Sequence, residues 1–131
     1  MTDPAFDSEQ STTALTAVAE SIIENSRYQD SWASLSLVAT FRGGSDSMFG
    51  YVYFDDGSWV ARKPKGFDVL DKVTVLRSTM TEDGKPAWKS CLIQIKRSEM
   101  DMAVDFEYED ADRWRIDPGN LEQMVETLRP S

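Results

Sequence analysis

Residues 47–62 read SMFGYVYFDDGSWVAR, and the break Asp55-Asp56-Gly57-Ser58 in its middle decides the reading. Before the break lies an aromatic-rich run, residues 47–54, of the kind that fits a pleated, half-buried surface. After it, Trp59 to Arg62 forms a second, shorter run. Asp-Gly between two apolar runs is a strong hairpin signal, because a tight turn needs a residue that accepts positive φ. Two antiparallel strands are therefore expected, with Lys63-Pro64 ending the second.

Working upstream, SWASLSLVATF (31–41) alternates Ala33, Leu35, Leu37, Ala39 and Phe41 with small polar residues, which predicts a strand with one buried face. Gly43-Gly44-Ser45-Asp46 supplies the turn that joins it to the hairpin as an antiparallel meander. Earlier still, Ser11 or Thr12 is placed to cap a helix running to about Arg27. Leu15, Val18, Ile22 and Ile23 fall at helical spacing, with Glu20 and Glu24 facing away. Residues 1–10 have few apolar anchors and read as a disordered tail.

Downstream, FDVLDKVTVLRSTM (67–80) sets Val69, Val73, Leu76 and Met80 on one helical face, with Asp68 and Asp71 at the N-terminal end. Val73-Thr74-Val75 would suit a strand, but the length favours a helix. AWKSCLIQIK (87–96) is a strand with Cys91, Ile93 and Ile95 on one face. A further alternating strand opens at Met100, and Asp117 with Pro118 starts a last helix carrying Leu121, Met124, Val125 and Leu128, stopped by Pro130. The order α-β-β-β-α-β-β-α implies an α+β fold: an antiparallel sheet of about five strands with helices packed on one face, residues 11–131 forming a single domain.

The 131 residues, 40% of them hydrophobic, suit one compact domain with a real core. The segment MTDPAFDSEQ is acidic and polar, unlike a secretory signal, and no apolar stretch approaches the ~20 residues of a membrane helix. One cysteine, Cys91, permits no internal disulfide and suits a reducing compartment; mid-strand on an apolar face it reads as an inert buried thiol. A cytoplasmic protein is expected. The absence of histidine excludes a Ser-His-Asp triad, a Cys-His pair and a His-based zinc site within this chain.

The net charge of −9 is uneven: −5 over residues 1–30, +3 over 31–98 and −7 over 99–131. Such a field repels nucleic acid and anionic lipid and attracts a basic protein partner. The acidic end is concentrated in MDMAVDFEYEDADRW (100–114). Period-2 alternation sets Asp101, Asp105, Glu107 and Glu109 opposite Met102, Val104 and Phe106, before Asp110 and Asp112.

Several uses compete for these carboxylates. Alternate residues of a strand lie about 6.5–7 Å apart, within the range of an acid/base pair, but a general acid needs burial and this face is solvated. A magnesium site needs carboxylates converging in a cleft, and Asp110-x-Asp112 lacks the glycine and distal glutamate of an EF-hand. A solvated face, an edge that resists aggregation and a protein-binding face all remain open. Trp114, between Arg113 and Arg115, reads as a hydrophobic anchor at the start of a loop in preference to a cation–π clamp. No constellation supports an enzyme, and no cofactor or metal is read from the residues.

From residue 82 the chain runs E-D-G-K-P-A-W-K-S, then an alternating strand, then D-F-E-Y-E-D and R-W. Over about the last 45 residues this resembles the YezG-like immunity proteins, bacterial antitoxins that neutralise polymorphic toxins, with Trp88, Ser90, Asp105, Phe106, Glu107, Tyr108, Glu109 and Asp110 as the matching positions. The resemblance implies a stoichiometric inhibitor of a basic toxin domain, with Asp105, Glu107, Glu109 and Asp110 making the charge contacts and Tyr108 or Trp114 supplying a buried anchor. Asp101 and Asp112 join them as candidate partner-binding residues of the same acidic segment. A second class shares size, acidity and element order: the chaperones of type III secretion, which hold a secreted effector segment as homodimers.

Overall fold

The computed structural model describes residues 9–43, 46–81, 87–99 and 101–130. Among them are three α-helices and a five-stranded antiparallel sheet, an α+β fold in the chain order α-β-β-β-α-β-β-α. The elements are α1 (Glu9–Glu24), β1 (Ser34–Thr40), β2 (Ser47–Tyr53), β3 (Trp59–Ala61), α2 (Asp68–Thr79), β4 (Ser90–Lys96), β5 (Asp101–Glu107) and α3 (Leu121–Leu128), with a 3-10 turn at Ser26–Tyr28. Most of the expected tail (1–8), part of the first turn (44–45), the segment 82–86 and Met100 lie outside the described residues. No described helix is long and apolar enough to cross a membrane.

The chain divides into two compact units. The first, Asp30–Lys63 with Lys89–Ser131, holds the sheet and α3. Its strand order is β3-β2-β1-β4-β5, so β1 is central and pairs along all seven residues with β2 on one side and β4 on the other. The Asp-Gly hairpin forms as its residues demand. Gly57 takes φ +89°, its N–H donates to Phe54 O at 2.9 Å, and Phe54 N–H donates to Ser58 O at 2.9 Å.

On one face of the sheet Val38, Tyr51, Tyr53 and Leu92 pack with Trp114 and with Val125 and Leu128 of α3. The opposite side, with Leu35, Leu37, Ala39, Val52, Cys91 and Ile93, is buried as well. The expected single buried face of β1 is therefore corrected: every residue from Leu35 to Thr40 is buried. Small hydroxyls make this tolerable, because each finds a partner inside. Thr40 Oγ1 lies 3.2 Å from Ser90 Oγ, which donates to Ala39 O at 3.1 Å. Ser36 Oγ lies 3.1 Å from Tyr53 Oη, and Tyr53 Oη donates to Val125 O of α3 at 2.7 Å. A phenol has one proton, so Ser36 is the donor to Tyr53. Burial pushes the Cys91 thiol up to about 12, which keeps it neutral and unreactive.

Helix α3 starts later than expected. Asp117 does not cap it; instead Asn120 Oδ1 accepts from Asp117 N at 2.6 Å and Asn120 Nδ2 donates to Arg115 O at 3.2 Å. These bonds close a turn over 117–120 before the helix begins. Arg129, preceding Pro130, is extended (φ −60°, ψ 129°), as a residue before proline prefers.

The second unit, Met1–Gln29 with Pro64–Trp88, holds α1 and α2. Helix α1 begins at Glu9, two residues ahead of the expected cap, and Ser11 is buried within it with Oγ 3.0 Å from Thr79 Oγ1 of α2. Val18 and Ile22 are buried on α1 as the spacing predicts, but Ala14 takes the buried place expected of Leu15, which with Ile23 is half-buried. On α2, Val69, Val73 and Leu76 are buried as expected. Asn25 ties the entry to α2: it accepts from Lys65 N at 3.0 Å and donates to Lys65 O at 3.1 Å.

Two substitutions test this packing. Gly50 faces Leu37, and an added methyl there runs into Ser36 O and the Leu37 side chain. Gly50→Ala is expected to destabilise at the upper end of about 1–3 kcal/mol in urea unfolding. Tyr53→Phe strands the Ser36 hydroxyl and Val125 carbonyl, and is expected to cost about 1–3 kcal/mol with little change in backbone circular dichroism.

Candidate functional site

The acidic segment is placed by the pairing of β5 with β4. In register, Leu92 faces Asp105, Gln94 faces Ala103 and Lys96 faces Asp101, while Cys91, Ile93 and Ile95 face Phe106, Val104 and Met102. Directly opposed residues of an antiparallel pair share a side of the sheet. Asp101, Asp105 and Glu107 thus lie on the side that carries Val38 and Leu92, the side against which α3 packs. The strand ends at Glu107, so Glu109, Asp110 and Asp112 belong to the loop that follows and not to the strand face.

That loop is organised by the carboxylates themselves. Glu107 Oε2 accepts from the backbone N–H groups of Glu109 at 3.0 Å and Asp110 at 3.1 Å. Asp110 Oδ1 accepts from Asp112 N at 2.9 Å, and Asp110 O accepts from Arg113 N at 3.2 Å. Arg113 then lies over the strand, with Nη2 3.4 Å from Asp105 Oδ2 and Nη1 3.3 Å from Glu107 Oε1. Its guanidinium carbon sits 4.6 Å from the centre of the Trp114 ring. Arg42, next to the end of β1, pairs with Asp112.

The expected contact residues are therefore divided. Asp101, Asp105, Glu109, Asp110 and Asp112 are exposed, and Glu107 is half-buried. Trp114 is only 5% exposed and belongs to the core cluster with Leu92 and Val125, which removes it from the contact surface and makes it the anchor of the loop. Asp101, Glu109 and Asp110 form no ion pair with any described residue, whereas Asp105, Glu107 and Asp112 do. Arg42 and Arg113 carry no signal in the sequence, since one is 70 residues from its partner and the other returns through a loop.

Backbone N–H bonds from Glu109 and Asp110, followed by the Arg113 guanidinium, hold Glu107 below its usual carboxylate range. The bond from Arg42 does the same for Asp112. Both stay ionised at neutral pH, which disqualifies them as general acids. No three carboxylate or thiol side chains among the described residues are grouped to hold a metal. Beside the loop, a cavity of about 370 Å³ is lined by Phe49, Tyr51, Arg42 and Arg115 among others. It lies at the small end of ligand pockets.

No protein-family model matches the chain, and no curated protein matches it.

The depressed Glu107 value sets a pH dependence. The stability it adds is complete above the ordinary glutamate value of about 4.3 and is lost as pH falls through the lower folded value. Wild type is therefore expected to lose urea stability more steeply than Glu107→Gln below about pH 4.3, as read from urea unfolding curves of the two proteins.

Proposed function

We propose that the chain is a non-enzymatic protein-binding module, an immunity protein that neutralises a basic toxin domain through its acidic strand and loop. The observation that carries the reading is the exposure of Asp101, Asp105, Glu109 and Asp110 on a strand and loop stiffened by the backbone bonds to Glu107. Charges held in place before contact lose little conformational entropy when a partner arrives. Opposed fields raise association rates toward about 10⁸–10⁹ M⁻¹s⁻¹ at low salt. The resemblance to YezG-like immunity proteins at Asp105, Phe106, Glu107, Tyr108, Glu109 and Asp110 supports the same assignment. A cytoplasmic location follows from it as part of the proposal.

One observation favours a second reading, a chaperone-like dimer that holds an effector segment. In the helical unit Phe67 is 76% and Val75 54% exposed, and Val75 borders a groove of about 510 Å³ with Ala14, Ala17, Lys72 and Thr79. Extended effector segments are held against apolar surface of that kind.

Affinity capture from the source organism, analysed by mass spectrometry, separates the two. The variant Asp101→Asn, Asp105→Asn, Glu109→Gln removes outward charge and spares Glu107, so the loop keeps its backbone bonds. A basic partner is expected on wild type, at least about tenfold weaker on the variant, and released as salt approaches 1 M, where the Debye length is about 3 Å. Equal capture by both proteins, together with a dimer in sedimentation, would replace this reading with the chaperone.

A further inference from the structure

The two edges of the sheet differ. β3 is three residues long, whereas β5 runs for seven, and among the described residues no strand lies beyond it. Exposed and half-buried residues alternate along β5 from Asp101 to Phe106, while β4 beside it is buried through Ser90–Ile93. An edge of this length that no described strand pairs with presents a row of backbone groups to any extended chain.

The ladder shows which groups those are. Phe41 N–H donates to Lys89 O at 2.8 Å and Arg97 N–H donates to Ala33 O at 2.9 Å. Both bonds extend the β1–β4 register, so the odd-numbered residues of β4 exchange their bonds with β1. Leu92 and Gln94 consequently turn their N–H and C=O toward Asp105 and Ala103 of β5. Met102 and Val104, lying between, direct theirs to the open side.

Charge selects the occupant. A second copy joined edge to edge, about a two-fold axis perpendicular to the sheet, would set its Asp101, Asp105 and Glu107 beside the same residues of the first. Like charges across strands are destabilising. A segment with Lys or Arg at alternate positions meets the same carboxylates as opposite charges, and its remaining side chains lie beside Met102 and Val104.

We propose that β5 is a docking edge, to which an extended segment of the protein partner, alternating basic and apolar residues, adds as a sixth strand. This rests on the reading of the acidic face as a partner surface and gives that surface its geometry. The test is amide exchange by NMR on the full chain, titrated with a blocked nine-residue peptide alternating Lys and Val. A peptide of the same composition in two blocks, and one N-methylated at alternate residues, serve as controls.

Exchange at Met102 and Val104 is expected to slow at least tenfold with the alternating peptide alone. Val104→Pro removes an outward donor and leaves the ladder to β4 intact, so affinity is expected to fall at least tenfold. The N-methylated peptide makes the same test without altering the protein. If all peptides bind alike, released by salt and indifferent to Val104→Pro and N-methylation, the edge proposal is overturned while the acidic surface stands. No slowing at millimolar alternating peptide overturns it as well. Equal slowing by a Ser/Val peptide would overturn the basic class of occupant, and with it the charge-based reading of this face.

Discussion

The fold of the sheet unit depends on β1 being buried on both faces and paired on both edges. Leu35, Leu37 and Ala39 fill one side with hydrocarbon, and Ser36 and Thr40 bring hydroxyls into the other. A buried hydroxyl without a partner costs about 1–3 kcal/mol, so the surrounding residues are constrained to supply acceptors and donors. The relay Ser36 to Tyr53 to Val125 meets that need and at the same time ties α3 to the sheet. Gly50 is required for a related reason, since only hydrogen fits opposite Leu37.

That central strand also determines where the acidic segment lies. With β2 and β4 on its two sides and β3 beyond β2, β5 pairs with β4 and lies at the opposite edge. Its pairing register puts the carboxylates beside Leu92 and Lys96 on the face that bears α3, and its apolar residues beside Cys91, Ile93 and Ile95. The buried Trp114 then draws the chain back over the strand, and Arg113 follows it onto Asp105 and Glu107. Formal charge therefore overstates what the segment projects: Glu107 and Asp112 are engaged in shaping the loop, and Asp101, Glu109 and Asp110 are the charges left facing water without an ion pair among the described residues.

The chemistry of the chain is narrow for the same physical reasons. The absence of histidine takes away the usual proton shuttle near neutral pH, and the one thiol is buried and held protonated. The carboxylates with displaced titration are displaced downward, by hydrogen bonds to their charged forms, and not upward by desolvation. Groups tuned in that direction hold charge and accept hydrogen bonds at neutral pH.

What the sequence determined by itself are the features with a local cause. Period-2 alternation placed the strands, helical spacing placed α1 and α2, Asp56-Gly57 placed the hairpin, and the parity of residues 101–107 separated carboxylates from apolar side chains. Each depends on neighbours within a few residues, where backbone geometry alone dictates which side chains share a face. The tertiary structure decided the rest. It buried both sides of β1, moved the start of α3 past Asp117 because Asn120 folds back, put Trp114 into the core, and joined Arg42 to Asp112 across 70 residues. Pairings of that kind are settled by which surfaces meet once the chain is packed, and a local pattern holds no record of them.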